Sequence, residues 1–226
     1  MLEPVDVPTV TAVQMAEIDR VMIEDLGIEL AQMMENAGRS LARLAMEHFA
    51  PRSVVVLAGP GGNGGGGLVA ARHLMNHGVV VEVARSHHRF DPVPLHQHEI
   101  LARMGVAEVV KPSPPDLIID ALLGYSLEGD PRGRAAVLIE WANGAEVPVL
   151  ALDTPSGLDV TTGTAGNPCV EATATLTLAL PKTGLIGSAE VGELYVADIS
   201  VPPSVYTSIG LGEVDLFTSD WIVRMG

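Results

Sequence analysis

The stretch from Ser53 to His73 constrains the fold more than any other part of the chain. It begins with four consecutive apolar residues, Val54 to Leu57, a pattern typical of a strand buried on both faces. Seven of the nine residues from Gly59 to Gly67 are glycine, and apolar residues then return at helical spacing. A strand, a glycine-rich loop and a helix together predict a cradle for an anion, because loop amides and the helix N-terminus both attract negative charge.

The glycine-rich stretch also contains G-x-G-x-x-G, a pattern found in dinucleotide-binding loops, at Gly59, Gly61 and Gly64. Glu82 follows at about the distance expected for the acid that binds ribose in such folds. A loop with this many glycines matches many such patterns by chance, so the match is weak evidence. An NAD-dependent dehydrogenase is therefore one hypothesis, although the chain offers no convincing histidine and arginine pair for hydride transfer.

The rest of the chain alternates predicted helices and strands. Two amphipathic helices, the first opened by a capping box of Thr11 and Gln14, precede the Val54–Leu57 strand. We expect residues 1–10 to be extended and loose, and we assign no element from Pro202 onward. The alternation predicts one domain, residues 1–226, with a doubly wound, mostly parallel sheet between layers of helices. Further strands are expected at 79–84, 117–121, 148–152, 174–180 and 194–199, and further helices at 94–104 and 134–143.

Charge and composition exclude several classes of partner. The chain carries 13 Lys and Arg against 28 Asp and Glu, a net charge of −15, which disfavours nucleic acid and anionic membrane surfaces. A single cysteine, Cys169, excludes an internal disulfide and fits a reducing compartment. No signal peptide or membrane-spanning stretch is evident, so we expect a cytoplasmic protein. Histidines 87, 88, 96 and 98 have spacings that do not favour a metal site, and we expect them in a solvated loop and helix start.

Polar residues at the ends of the predicted strands form the candidate site. Ligands bind at the carboxyl ends of the strands in a parallel sheet, and Asp120, Asp153 and Ser156 all lie at such ends. Asn63, Asp120 and Ser156 offer hard oxygen ligands, which suit an alkali or alkaline-earth cation better than zinc. Lys182 also follows a strand, and it either reaches the same crevice or is an ordinary surface lysine.

Five motifs, in order along nearly the whole chain, resemble the NAD(P)H-hydrate epimerase family, also known as the YjeF N-terminal domain or apolipoprotein A-I-binding protein family. The family's glycine loop usually reads GPGNNGGDG, whereas this chain has glycine at positions 62 and 66. The motifs are MMENAGRSLA at 33–42, VLAGPGGNGGGGLVAARHL at 56–74, DLIIDALLG at 116–124, VLALDTPSGLDVTTG at 149–163 and TLTLALPKTGL at 175–185.

The resemblance implies a three-layer αβα Rossmann-like fold, a homodimer, and an isomerase that interconverts the R and S forms of hydrated NADH and NADPH. It implies one potassium ion per subunit, held by Asn63, Asp120 and Ser156, and a separate NAD(P)H-hydrate dehydratase as a functional partner. Asp153 is the candidate acid and base. The resemblance places substrate contacts on Gly62, Asn63, Gly64, Gly65, Gly66, Gly124, Tyr125, Ser126, Leu127, Glu128, Gly129, Asp130 and Asp153.

Two further questions stay open at the level of sequence. The epimerisation can proceed by loss and return of the hydroxyl or by ring opening and reclosure. A non-catalytic nucleotide-binding or scaffolding module on the same fold is an alternative to an enzyme, and Gly66, where the family has an aspartate, is the feature that favours it.

Overall fold

A single eight-stranded sheet runs through this computed structural model, which describes residues 7–225. Its strands follow the order β3-β2-β1-β4-β5-β6-β7-β8, and every neighbouring pair is parallel except β7 and β8. The prediction of a doubly wound, mostly parallel sheet is therefore confirmed. The strands are β1 Ser53–Ala58, β2 Val80–Arg85, β3 Ala107–Glu108, β4 Leu117–Ala121, β5 Val149–Leu152, β6 Ala174–Leu178, β7 Glu193–Ala197 and β8 Ile222–Arg224.

The strand order reverses between β1 and β4. The chain passes from β1 outward through β2 and β3, then returns to place β4 on the other side of β1. In open parallel sheets this reversal leaves a crevice at the carboxyl ends of the two central strands, where ligands bind. Here the crevice lies beyond Ala58 and Ala121, which are register partners.

Helices cover both faces of the sheet because alternate strand residues point in opposite directions. The helices are α1 Ala12–Arg20, α2 Leu30–Leu44, α3 Gly62–Asn76, α4 Pro92–Arg103, α5 Gly133–Gly144 and α6 Pro203–Ser208, with π-helical turns at Val21–Asp25 and Ala45–Phe49. Val54 and Val56 pack in one core with α2, α3 and α4, whereas Val55 and Leu57 pack in another with α5. A third core joins α1 and α6 to the far end of the sheet.

Most of the predicted glycine loop is in fact helical. Helix α3 begins at Gly62, so Gly64 to Gly67 form its first turns and only Gly59 to Gly61 remain in the loop. These glycines allow close packing: a Cβ at Gly65 would lie 2.5 Å from the Met34 sulfur, and one at Gly67 would lie 2.5 Å from Ala121 Cβ. Packing thus outweighs the low helix propensity of glycine.

The two ends of the chain also differ from the prediction. Residues 1–6 lie outside the described part, but Val10 is fully buried and forms a parallel bridge with Lys182 rather than being loose. The capping box of Thr11 and Gln14 is confirmed. Beyond Pro202 the chain forms α6 and the antiparallel edge strand β8. Within residues 7–225, no helix has the length and apolar character needed to cross a membrane.

Candidate functional site

Asp120, at the end of β4, is completely buried and has no cationic partner among the described residues. Its carboxylate accepts hydrogen bonds from the Ser156 backbone N–H at 2.8 Å, the Ser156 hydroxyl at 2.7 Å and the Leu122 N–H at 3.2 Å. Burial disfavours the ionised form and raises the pKa of Asp120 to about 6, although these three donors act in the opposite direction. A buried carboxylate of this kind is a natural position for a compensating cation.

Asn63, in the first turn of α3, reaches the same region. Its Nδ2 donates to the Leu123 carbonyl at 3.0 Å, while Leu123 N–H donates to the Ser156 hydroxyl at 2.9 Å. The Asn63 Oδ1 atom is buried and accepts no hydrogen bond from any described residue. An unpartnered oxygen near a buried carboxylate and a hydroxyl is a donor set that suits a hard monovalent or divalent cation. The residues present therefore fit the potassium ion that the family resemblance implies.

Asp153 and Lys182 form a buried ion pair at the carboxyl end of the sheet. The Lys182 side chain is fully buried and the Asp153 side chain is 6% exposed. The Lys182 ammonium donates to Asp153 Oδ1, to Thr177 Oγ1 at 3.0 Å and to the Leu178 carbonyl at 2.9 Å, so its donors are satisfied. This finding corrects the interpretation of Lys182 as a surface residue and supports the alternative that it reaches the crevice.

The backbone at Asp153 is strained. Its φ of 67° lies in the left-handed region, which residues with a Cβ rarely adopt, although aspartate tolerates it better than most. Such strain is concentrated at functional sites. The conformation leaves Oδ2 near Gly124, where a Cβ would lie 3.6 Å from Oδ2 and 3.3 Å from Asn63 Cβ. Asp153, Asn63 and the segment after β4 therefore meet.

A cavity of about 470 Å³ opens at this meeting point. Its walls come from the β1–α3 and β4–α5 connections, the end of β5, and helices α1 and α2, and they are mostly apolar with a few polar groups. This size and lining are typical of a small-molecule site. The predicted residues that line the cavity are Gly62, Asn63, Gly66, Gly124, Tyr125, Ser126 and Asp153.

The other predicted residues lie outside the cavity lining. Asp120 and Ser156 are fully buried. Ser156 contacts the site through the Leu123 backbone, and Asp120 through the Leu122 N–H and Ser156. Gly64 and Gly65 are buried inside α3, and residues 127–130 follow the lining segment without joining it. Glu82 lies in the middle of β2, in register with Val55, rather than at the strand end where a ribose-binding acid belongs.

Asp19, on α1, is a cavity residue that the sequence interpretation missed. It lies four residues after Met15 and four before Ile23, and all three side chains line the cavity. Its carboxylate accepts a hydrogen bond from the Tyr125 hydroxyl at 2.6 Å. The sequence held one signal for this position: Asp19 lies four residues after the buried Met15, next to the apolar stripe of α1. Met33 and Met34, on α2, also line the cavity.

The fold and the site define an α/β protein with a ligand cavity at the switch point of a doubly wound sheet and a buried acid–amine pair beside it. Residues 30–184 match the family described as YjeF-related protein N-terminus. The chain belongs to this family.

Individual relatives support this assignment over nearly the whole chain. A protein named NAD(P)H-hydrate epimerase from Dehalogenimonas lykanthroporepellens is 43% identical, covering 99% of this chain and 93% of the relative. A protein of the same name from Truepera radiovictrix is 40% identical, covering 82% of this chain and 86% of the relative. A bifunctional NAD(P)H-hydrate repair enzyme from Hyperthermus butylicus is 40% identical, but this chain spans only 41% of its length. The crystal structure of yeast ynu0 is similar with a TM-score of 0.85 at 26% identity, covering 96% of this chain and 100% of that one.

Proposed function

We propose that this protein is an isomerase that interconverts the R and S forms of hydrated NADH and NADPH. The observation that carries the proposal is the Asp153–Lys182 pair, a strained and buried acid with its counter-ion at the edge of a ligand-sized cavity. Two relatives that match this chain over most of their length bear the name NAD(P)H-hydrate epimerase. The cavity residues on β5 and after β1 and β4 belong to motifs that the sequence shares with that family.

The chemistry needs one group that gives a proton to the hydroxyl on the carbon that changes configuration and takes a proton from the water that adds there. In the hydrated cofactor a hydroxyl is bonded to a ring carbon next to the ring nitrogen. Protonation of that hydroxyl lets it leave as water, the nitrogen lone pair then forms a planar iminium ion, and water adds from either face with loss of a proton. General acid and base catalysis of this kind contributes roughly 10²–10⁴-fold to the rate.

Asp153 is the proposed proton donor and acceptor. Lys182 holds Oδ1 and offsets the charge of the carboxylate, which leaves Oδ2 on the side of Gly124 and the cavity. The apolar walls, including Leu122, Leu152 and Ile199, offer water few hydrogen-bond partners. The backbone N–H groups at the start of α3 favour binding of the anionic part of the dinucleotide next to them.

We further propose that potassium binds to Asn63, Asp120 and Ser156, one ion per subunit. The support is the unpartnered Asn63 Oδ1 and the buried Asp120 carboxylate without a cation. When bound, the ion supplies a fixed positive charge that offsets Asp120 and attracts anionic groups of the substrate. Rate measurements in potassium chloride and in choline chloride at equal ionic strength test this. Asn63→Ala should abolish any gain that potassium gives, and a potassium effect that persists in this variant contradicts the assignment.

The assembly proposals are a homodimer and a separate dehydratase that removes the hydrate. The proposal of a dehydratase partner has support from the bifunctional relatives, which are more than twice as long as this chain and are named as hydrate repair enzymes. Sedimentation analysis measures the subunit number directly, and a monomer at micromolar concentration contradicts the dimer.

The decisive experiment is direct. Purified R hydrate is incubated with the protein and the S hydrate is followed by chromatography against a buffer blank. We expect acceleration over the spontaneous reaction, a loss of roughly 100-fold or more in Asp153→Asn, and no loss in the matched control Asp215→Asn, which changes an exposed aspartate. Equal rates with and without the wild-type protein, in the presence of potassium, refute the function.

A further inference from the structure

Asp19 and Tyr125 form a polar pair on the wall of the cavity. Asp19 comes from α1, and its neighbours Met15 and Ile23 on the same face line the same wall. Tyr125 comes from the connection after β4, directly after Gly124, where Asn63 and Asp153 meet. Two segments more than 100 residues apart are thus joined by one hydrogen bond of 2.6 Å at the cavity surface.

The pair leaves one acceptor free for a ligand. The Tyr125 hydroxyl donates to Asp19 Oδ2, and no other group in residues 7–225 donates to this carboxylate. Burial and the charge of Asp153 raise the pKa of Asp19, while Tyr125 and the Lys182 ammonium lower it. Burial together with Asp19 also raises the pKa of Tyr125, which keeps the phenol a neutral donor. Asp19 is therefore a fixed acceptor oriented by Tyr125.

The proposed substrate presents a matching donor. Its six-membered ring carries the reactive hydroxyl on one carbon and a carboxamide on the carbon directly across the ring. A ring that turns its hydroxyl toward Asp153, on the strand side, turns its carboxamide away from β5. Asp19, on α1, belongs to a different wall of the same cavity.

We propose that Asp19, held by Tyr125, accepts an N–H from the substrate carboxamide and so selects the amide over the corresponding carboxylic acid. This inference rests on the proposed function, because it assumes that the hydrated nicotinamide ring occupies the cavity. Asp19 is a specificity residue in this proposal and takes no part in the proton transfer. A substrate with a carboxylate at the same ring position meets a like charge at Asp19 and loses the hydrogen bond, and both effects reject it.

The test compares two dinucleotides that differ only in this group: hydrated NADH and the hydrate of reduced nicotinic acid adenine dinucleotide. We expect wild-type kcat/KM to favour the amide at least about tenfold. Asp19→Asn keeps the shape and the acceptor for Tyr125 but removes the charge, so the preference falls about tenfold. Tyr125→Phe keeps the charge but loses the orienting bond, and the preference falls by less. The matched control Asp25→Asn, on the next turn of the same segment but outside the cavity, leaves the ratio unchanged.

A purely structural role of Asp19 gives a different result. If Asp19→Asn lowers kcat/KM for both hydrates by the same factor, the ratio is unchanged and the inference is wrong. Equal kcat/KM values of the wild-type protein for the two hydrates also contradict the inference.

Binding measurements separate this inference from the proposed activity. Calorimetry with the two hydrates reports affinity whether or not turnover occurs. If the wild-type protein turns over neither hydrate but binds the amide at least about tenfold more tightly, and Asp19→Asn closes that gap, the activity is wrong and the specificity role stands. Failure to bind either compound, or equal affinities for both, overturns the specificity role.

Discussion

Replacing Lys182 with methionine tests whether the buried ion pair of Lys182 and Asp153 stabilises the folded protein as strongly as its geometry indicates. Methionine has a similar length and volume, so the cavity left behind is small and the change is mainly the loss of the ammonium. Asp153, only 6% exposed, then keeps a buried carboxylate without a counter-ion, and Thr177 Oγ1 and the Leu178 carbonyl lose their donor.

The expected cost is large for a single substitution. Removing one partner of a buried ion pair destabilises a protein by about 3–5 kcal/mol, because the remaining charge stays desolvated and unpaired. For a chain of this size, each kcal/mol lowers the melting temperature by about 2–4 °C. We therefore expect Lys182→Met to melt roughly 6–20 °C below the wild-type protein.

A double-mutant cycle isolates the pair. Urea unfolding gives the free energy of unfolding for the wild type, Lys182→Met, Asp153→Asn and the double variant. The double variant should recover much of the loss, because neither charge then remains buried alone. The only other lysine, Lys111, is exposed, so Lys111→Met is the matched control and should change stability by less than about 0.5 kcal/mol. A cost below about 1 kcal/mol for Lys182→Met, or a double variant no more stable than Lys182→Met, refutes the reasoning.

Two further predictions concern Asp120 and the glycines of α3. The pKa of Asp120 is raised to about 6 in the folded protein and is about 3.9 when unfolded, so the folded state binds the extra proton between these values. The free energy of unfolding, measured relative to that of Asp120→Asn, should therefore fall by about 2 kcal/mol as the pH rises from 4 to 7 in potassium-free buffer. A difference that does not vary with pH contradicts this. Gly64→Ala places a Cβ onto the Gly59 carbonyl oxygen and should cost about 3 kcal/mol, whereas Gly62→Ala meets no atom within 4 Å and should be neutral or stabilise by up to about 1 kcal/mol in urea unfolding. Similar values for the two variants would show that the close approach does not matter.

The sheet could be predicted from the sequence because its strands are continuous apolar runs. Leu117–Ala121 matches the predicted strand residue for residue, and Val149–Leu152 differs by one residue. The strands β3 and β8 were missed because two or three residues at a sheet edge carry no such pattern. The start of α3 was misplaced for another reason: glycine opposes helix formation locally, and only the packing of α2 and β4 against it explains the choice.

The positions of the site residues were harder to predict than their identities. Asn63, Asp120 and Ser156 follow motifs at strand ends, and the structure brings all three to the Leu123 backbone or to one another. Lys182 is buried three residues after Ala179, whose φ of 64° is a left-handed conformation that no local pattern reveals. Asp19 was missed because an acid beside an apolar stripe normally faces solvent.

The bridge between Val10 and Lys182 has a consequence for how the molecule is made. Val10 N–H donates to the Pro181 carbonyl, and Thr183 N–H donates to the Val10 carbonyl, so the start of α1 is anchored by residues that are synthesised long after it. The anchor for α1 therefore does not exist until the ribosome has released residue 183. A nascent chain carrying only the central strands already contains Asn63, Asp120 and Asp153, yet it lacks both this anchor and the lysine that neutralises Asp153. The cavity is thus completed late, after most of the sheet has been made.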